Sequence, residues 1–326
     1  MRFLLKKGSF TRMLTRRHIR IKVLQSVYAF HQSEQPDIEK QEKFLLYSID
    51  QMQDLYLLLL QLLVAMREQE ESFMSKSQQK LLATDQEKNP SRAFVDNKVI
   101  ALIASNPEFK QAIKNKKLNY WEQDDEYVNI LLKELRKTSW FKEYLAKNDP
   151  TFKEDKTFIV TLYKEILAPN EKLYEYIEDK RLTWLDDFPV VNTAIVKMFS
   201  KLSEKNAAAM LLPQLYKNEE DRDYAVKLLR KVILQDEKLS AEIDGKTPNW
   251  DKERIAELDM IILKIGIAEF LYFPSIPVRV TMNECLEIAK EYSTPKSSIF
   301  INGILDKLVK EFSEANKLNK IGRGLR

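Results

Sequence analysis

Apolar residues recur along this chain at the spacing of an α-helix. Near the C-terminus an apolar residue occupies every fourth position, at Phe300, Ile304, Leu308 and Phe312. Near the N-terminus four further apolar residues share one face: Ile19, Val23, Val27 and Phe30. A period near 3.6 places such residues on one side of a helix, so both segments predict amphipathic helices. No alternating strand pattern is present, and the predicted fold class is all-α.

Composition and local signals agree with a helical fold. Only 6 Gly and 11 Pro interrupt 326 residues, and strong helix formers dominate the stretches between them. Thr15 is a suitable N-cap for a helix that begins at Arg16. Pro274 and Pro277 predict the end of one helix and a turn, and Gly303 is expected to allow close packing in the final helix.

An internal repeat becomes visible when the chain is shifted by 66 residues. The segment from Asp155 to Trp184 then aligns without a gap with the segment from Asp221 to Trp250. The matched pairs include Leu162 with Leu228, Leu173 with Leu239, Ile177 with Ile243, and the two Trp residues. Two amphipathic helices can also align by chance, but the paired Trp residues favour duplication. We therefore expect one helical unit to be used twice.

Length and composition indicate a folded protein without a membrane span. The hydrophobic content is 44%, and the longest uncharged apolar stretch, Leu55 to Met66, is too short to cross a bilayer. Residues 1 to 10 lack the sustained apolar region of a secretion signal. The single cysteine, Cys285, excludes an internal disulfide. The expected location is the cytoplasm.

Charge is segregated along the chain. The first 33 residues carry eight Lys and Arg and no acid, whereas the other 293 residues sum to −4. Clustered cations attract polyanions such as nucleic acids. By contrast, the mixed charges between Gln69 and Asp155 are typical of a solvated surface.

The residues offer no support for catalysis. Two histidines, His18 and His31, and one cysteine cannot form a zinc site of the usual kind. The chain contains no GxxxxGK[ST], GxGxxG or GxSxG motif. We therefore expect no enzymatic activity, no metal site and no cofactor.

The predicted N-terminal helix has a second, polar face. On a helical wheel Arg17, Ile21, Gln25 and Tyr28 fall together, flanked by Arg20 and His18. Guanidinium groups pair with phosphates, Gln can hydrogen-bond to base edges, and Tyr offers a stacking plane, so this face suits single-stranded RNA. A basic helix that packs on an acidic neighbour or lies on a membrane surface would show the same pattern.

Both ends of the chain resemble the NusB family of transcription antitermination factors. The stretch RRHIRIKVLQSVYAFHQS is similar to the Arg-rich opening helix of that family and its Q-x-x-Y pattern. The stretch LDMIILKIGIAEFLYFPSIPVRVTMNECLEIAKEYSTPKSSIFINGILDKL resembles four sequence blocks of the family in the same order. The resemblance implies a helical bundle of NusB type with an inserted, partly duplicated helical region.

The resemblance implies five segments. Residues 1–12 would be a basic extension, with Met1 or Met13 as the true start, and residues 313–326 a basic tail. Residues 13–33 and 221–312 would form the NusB-like domain around an insertion at 34–220.

The resemblance also implies function. The family binds boxA-type single-stranded RNA together with the ribosomal protein NusE, within the RNA polymerase antitermination complex that supports ribosomal RNA operons. The implied RNA-binding residues are Arg16, Arg17, Arg20, Gln25, Tyr28, Tyr292, Lys296 and Phe300. Tyr28 and Asp259 would bind the protein partner. Lys296 departs from the family, which commonly has an acid there.

Two other functions fit the residues. The chain could be a helical protein-interaction scaffold with RNA binding secondary, or an RNA-guiding accessory to an RNA-modifying enzyme. Salt-dependent binding to a boxA-like oligonucleotide would separate the RNA-binding role from the scaffold.

Overall fold

A computed structural model describes residues 13–206, 211–216, 218–246 and 255–325 of the chain. Within these residues the protein is helical and contains no strand, which confirms the predicted all-α class. The α-helices, in chain order, are α1 (Arg16–His31), α2 (Ile38–Gln78), α3 (Asp85–Lys88), α4 (Lys98–Ser105), α5 (Pro107–Lys116), α6 (Tyr120–Gln123), α7 (Asp125–Lys137), α8 (Ser139–Leu145), α9 (Phe152–Leu162), α10 (Glu171–Lys180), α11 (Asp187–Lys201), α12 (Glu219–Leu234), α13 (Asp236–Ile243), α14 (Glu257–Tyr272), α15 (Val278–Tyr292) and α16 (Ser297–Glu314). A π-helix (Tyr163–Leu167) and two 3-10 helices (Leu182–Trp184 and Gly322–Leu325) complete these elements. The basic extension at 1–12 lies outside the described residues.

The chain divides into two compact units. Of the described residues, Met13 and Asp50–Leu215 belong to the first unit, and Leu14–Ile49 with the described part of 216–325 belongs to the second. The boundary near residue 50 falls inside α2. The segmentation implied by the resemblance, with an insertion at 34–220, stays a prediction.

The first unit is built on the apolar part of α2. Leu55 to Leu60 are buried, and Trp121 and Tyr163 donate hydrogen bonds to the carbonyl oxygens of Leu58 and Leu59 at 2.9 and 2.7 Å. By length and composition α2 could cross a membrane, but 78% of its most apolar window is buried inside the protein. A core helix has the same composition.

In the second unit α1 packs against α12 and α14. Thr15 caps α1 as expected, because its hydroxyl accepts a hydrogen bond from the His18 N–H at 3.2 Å. Ile19, Val23 and Val27 are buried, whereas Phe30 is partly exposed near the end of the helix. The apolar stripe of the sequence is therefore the packing face of α1.

Helices α14, α15 and α16 complete the core of the second unit. Helix α14 is buried on nearly all sides, and Gly266 lets α15 and α16 approach it: a Cβ there would lie 3.2 Å from Cys285 Sγ and 3.1 Å from Leu305 Cδ2. The close packing expected at Gly303 is wrong, because a Cβ at Gly303 would meet no atom of the residues that the structure describes within 4 Å. Gly303 faces outward on α16.

The repeat corresponds to a helix pair in each unit. The first copy covers most of α9, the π-helix and α10, and the second covers most of α12 and α13. The pairs Leu162 and Leu228, and Leu173 and Leu239, are buried at equivalent positions. Trp184 is buried and donates to the Gln51 carbonyl oxygen, while Trp250 lies outside the described residues.

Candidate nucleic-acid interface

The arginines at the start of α1 bind carboxylates of the second unit. Arg16 donates to Glu220 Oε1 at 2.7 Å and to Asp221 Oδ1 at 3.0 Å, at the N-terminus of α12. Arg17 forms a bidentate pair with Glu284 on α15, at 2.9 and 3.1 Å. Burial opposes the charge of Arg16, but the hydrogen bonds to its two acids outweigh burial and raise its pKa above the ordinary value.

Arg20 lies in the interior. Its side chain is 2% exposed and donates Nε to Glu269 Oε1 at 2.7 Å and Nη2 to Glu269 Oε2 at 2.9 Å. The hydroxyls of Tyr224 and Thr281 also donate to Glu269. Burial opposes the charge of Arg20, but Tyr224 and Glu269 outweigh it and raise the Arg20 pKa. This network joins α1 to α12, α14 and α15.

The exposed polar face expected for α1 is wrong at three positions, and the first of them is His18, which is buried. Arg20 and Ile21 are buried as well, because α1 contacts helices on more than one side. The start of α1 instead matches the alternative of a basic helix that packs on acidic neighbours. Contact of Arg20 with RNA stays a prediction, and it would require the pair with Glu269 to open.

The last turns of α1 are more accessible. Tyr28 is 40% exposed, and Gln25 is partly exposed one turn earlier. Gln32, just after the helix, donates to Glu257 Oε2 at 2.7 Å, which ties the end of α1 to the start of α14. Tyr28 lies about 18 Å along the helix axis from Arg16, at 1.5 Å per residue.

The candidates from the C-terminal half gather at the start of α16. Ser297 donates its hydroxyl to Asp259 Oδ2 at 2.7 Å, which joins α16 to the first turn of α14. The other oxygen of Asp259, Oδ1, is buried and has no hydrogen-bond partner among the described residues. Lys296 is exposed and makes no ion pair within the described chain, and Phe300 is partly exposed one turn later.

The fold therefore divides the candidates into two groups within one unit. Tyr28, Asp259, Lys296 and Phe300 belong to helix ends that are linked through Glu257, Asp259 and Ser297. Tyr292, at the end of α15, is partly exposed and precedes α16 by only a short turn. Arg16 and Arg17 lie at the other end of α1, beside α12 and α15.

The acids that neutralise these arginines were missed by sequence reasoning. Glu220, Asp221, Glu269 and Glu284 lie more than 200 residues from their partners along the chain. One signal was available for Glu269, because it is a lone acid in the apolar stretch IILKIGIAEFLY. An isolated charge in a buried helix needs a partner of opposite charge. Over the described ranges there is no cluster of three His, Cys, Asp or Glu suited to a metal.

Comparison with known proteins decides the family. The family model described as the NusB family matches residues 189–310, from α11 into α16. The transcription antitermination protein NusB of Salinibacter ruber is 35% identical over 123 residues, which cover 38% of this chain and 77% of that protein. The chain belongs to the NusB family.

Two further NusB-family relatives match shorter stretches. The transcription antitermination protein NusB of Chloroherpeton thalassium is 41% identical over 104 residues, covering 32% of this chain and 49% of that protein. That of Clostridium kluyveri is 42% identical over 91 residues, covering 28% of this chain and 58% of that protein. The chain thus spans about half the length of these two relatives. No solved structure matches it significantly.

The N-terminal helix packs against the part of the chain that matches the NusB family. Helix α1 lies outside the matched residues 189–310, yet it packs on α12 and α14 within them. The similarity between α1 and the opening helix of the family is therefore accompanied by direct packing against the matched part.

Proposed function

We propose that this NusB-family protein is a non-enzymatic, cytoplasmic transcription antitermination factor. It binds boxA-type single-stranded RNA together with NusE and supports antitermination by RNA polymerase in ribosomal RNA operons. The observation that carries the proposal is the packing of α1 against α14 and α15, which unites candidates from both chain ends in one unit. The names of the relatives support the role in antitermination.

The proposed RNA surface centres on Lys296, Phe300 and Tyr28. Lys296 offers an unpaired cation for a phosphate, and the two partly exposed rings offer planes for base stacking. Gln25 and Tyr292 would extend this surface. Arg16 and Arg17 contribute where a phosphate replaces their carboxylate partners, a step that costs the ion pairs already present.

Asp259 and Tyr28 are the proposed contacts for NusE. The Oδ1 atom of Asp259, which has no hydrogen-bond partner among the described residues, is a buried acceptor close to the surface formed by the helix ends. A hydrogen-bond donor from a partner protein would remove the free-energy cost of leaving this acceptor unsatisfied. Tyr28 provides exposed aromatic area, which is enriched at protein interfaces.

Fluorescence anisotropy with a labelled boxA-like oligonucleotide tests the RNA surface. Phe300→Ala and Tyr28→Ala should each weaken binding by about 1–3 kcal/mol for each stacked base lost. Lys296→Ala should lower the slope of log affinity against log salt by about 1. Lys310→Ala is the control, since Lys310 lies on α16, the helix that follows Lys296, and pairs with Asp306. Binding without salt dependence, or equal loss in the control, would contradict the proposal.

A second measurement tests the arginines and NusE. Arg16→Ala with Arg17→Ala should weaken RNA binding; unchanged affinity would remove these arginines from the site. Arg20 is left intact in this variant, because its loss would leave Glu269 buried without its cation. Asp259→Asn should reduce binding of purified NusE measured by calorimetry, while RNA binding in the absence of NusE stays unchanged.

A further inference from the structure

A groove between the first turns of α2 and the length of α12 is not used by the proposed RNA surface. It lies within the second unit and has a volume of about 460 Å³. Its aliphatic floor is formed by Leu46, Val226 and Leu234, and Leu234 is 60% exposed. An exposed aliphatic floor of this kind costs free energy in water unless something covers it.

The rim of this groove is basic. Arg222, Lys227 and Lys231 line it, and none of the three forms an ion pair within the described chain. Lys227 and Lys231 lie over the rings of Phe273 and Tyr272, at 5.2 and 4.5 Å from the ring centroids. These rings hold the two ammonium groups in place without neutralising them.

The two walls of the groove are joined. Arg230 on α12 donates to Glu42 on α2 at 2.7 Å. With Asp223 as the second acid, four cations and two acids of the described chain line the groove, which leaves a surplus of two positive charges. The groove is therefore preformed, apolar at its floor and positive at its rim.

We infer that this groove, the α2–α12 groove, docks an acidic amphipathic helix of a protein partner. Apolar side chains at helical spacing would cover Leu46, Val226 and Leu234, and flanking carboxylates would pair with Arg222, Lys227 and Lys231. Arg222 and Leu234 are twelve residues apart on α12, so the groove accommodates about 18 Å of a partner helix, or about three turns.

Charge alone would also fit RNA, but the floor favours protein. Single-stranded RNA is held by stacking of its bases on aromatic rings or guanidinium planes. Among the described residues no aromatic side chain lines the groove. Because Glu42 holds Arg230, Arg222 offers the one guanidinium plane there that has no carboxylate partner among those residues. An aliphatic floor instead suits Leu, Ile or Val side chains of a partner.

Selection from a displayed library of helical peptides, each about four turns long, tests this inference. The whole protein is the bait, and the expected winners carry apolar residues at i, i+3, i+4 and i+7 with Asp or Glu beside them. Affinity of a winning peptide should fall roughly tenfold or more in Lys227→Glu with Lys231→Glu, and likewise in Leu234→Asp. It should also fall as salt rises.

Matched control variants distinguish a specific effect of the groove on peptide affinity from a general effect of net charge. Lys307→Glu with Lys310→Glu changes the net charge equally on α16, and Leu182→Asp alters a leucine of the first unit that is even more exposed than Leu234. Both controls should keep the affinity of the unaltered protein. Equal losses in the controls, or winners without acidic residues, would overturn the inference.

The same experiment includes single-stranded RNA as a competitor of the peptide. A single-stranded boxA-like oligonucleotide should neither displace the peptide nor lose affinity in Lys227→Glu with Lys231→Glu. If it does either, the groove binds RNA and the inference fails. The proposed RNA function is read separately from Tyr28, Lys296 and Phe300, so either proposal can fail while the other stands.

Discussion

At the scale of single residues, burial separates arginines that the sequence presents alike. Arg17 and Arg20 are three residues apart, and each forms a bidentate pair with a glutamate. The Arg17 side chain is 43% exposed, whereas that of Arg20 is 2% exposed. Water screens the first pair and is excluded from the second, so the two pairs contribute differently to stability.

We expect Arg20→Ala to lower the free energy of unfolding by about 3–5 kcal/mol, because Glu269 would remain buried without its cation. Arg17→Ala should cost about 1 kcal/mol or less, since its pair is exposed. Urea denaturation followed by circular dichroism measures both. Similar losses in the two variants would show that the Arg20 pair is not desolvated as described.

At the scale of elements, caps and close approaches define the ends of helices. The C-terminal segment illustrates a close approach. Lys320 donates to the carbonyl oxygens of Glu269 and Phe273, and the Ile321 N–H donates to the Pro274 carbonyl oxygen at 3.0 Å. Burial lowers the pKa of Lys320. This segment thus satisfies carbonyl groups at the C-terminus of α14.

Replacement by alanine should have opposite effects on stability at two glycines of the C-terminal region. Gly324→Ala should destabilise the protein by about 1–3 kcal/mol, because its Cβ would overlap the Pro274 carbonyl oxygen. Gly303→Ala should stabilise it by about 0.4–1 kcal/mol, since the helical site is open and alanine restricts the unfolded chain. Thermal denaturation of both variants checks the signs, and destabilisation by Gly303→Ala would contradict the outward position.

The capping box of α9 predicts a pH dependence. Hydrogen bonds from Lys147 and from the Thr151 N–H lower the pKa of Glu154 from an ordinary 4.5 to about 2. A lowered pKa in the folded state means that the stabilisation is complete above pH 4.5 and is lost as pH falls toward 2. NMR titration of the Glu154 carboxyl carbon measures the pKa of this group in the folded protein.

Glu154→Gln is the control for this titration. Glutamine keeps the hydrogen bond of a capping box but cannot titrate. The stability of this variant should therefore no longer show the part of its pH dependence that comes from Glu154 at the start of α9. A Glu154 midpoint at its ordinary value would contradict the arrangement.

At the scale of the whole molecule, the repeat uses one burial pattern in both units. Leu162 and Leu228 are buried at equivalent positions although each belongs to a different unit. Each fills its own core, so each is fixed by the same requirement for close packing. The repeat is consistent with a duplicated helix pair that kept its apolar face.

Equivalent substitutions in the two copies should therefore have comparable costs. We expect Leu162→Ala and Leu228→Ala each to lower the free energy of unfolding by about 2–5 kcal/mol, through loss of buried area and a cavity. Glu171→Ala and Glu237→Ala, at exposed equivalent positions, should stay within about 0.5 kcal/mol. Urea denaturation measures all four, and a near-neutral effect at one leucine would contradict equivalent burial.

Much of the fold could be predicted because its signals are local. The Thr15 cap, the packing face of α1 and the apolar stripe of α16 all follow from spacing within a few turns. The candidate site was less predictable. The exposure of Tyr28 and Lys296 agrees with a surface role, but the burial of Arg20 depends on Glu269, 249 residues away.

The sequence by itself determined the helices, their caps and the apolar faces that must be buried, because these depend on neighbours along the chain. The tertiary structure alone decided which charges remain available. It paired Arg16, Arg17 and Arg20 with distant acids and left Lys296, Lys227 and Lys231 without carboxylate partners among the described residues. The physical reason is that a charge binds or is neutralised according to its neighbours in space, and only folding brings those neighbours together.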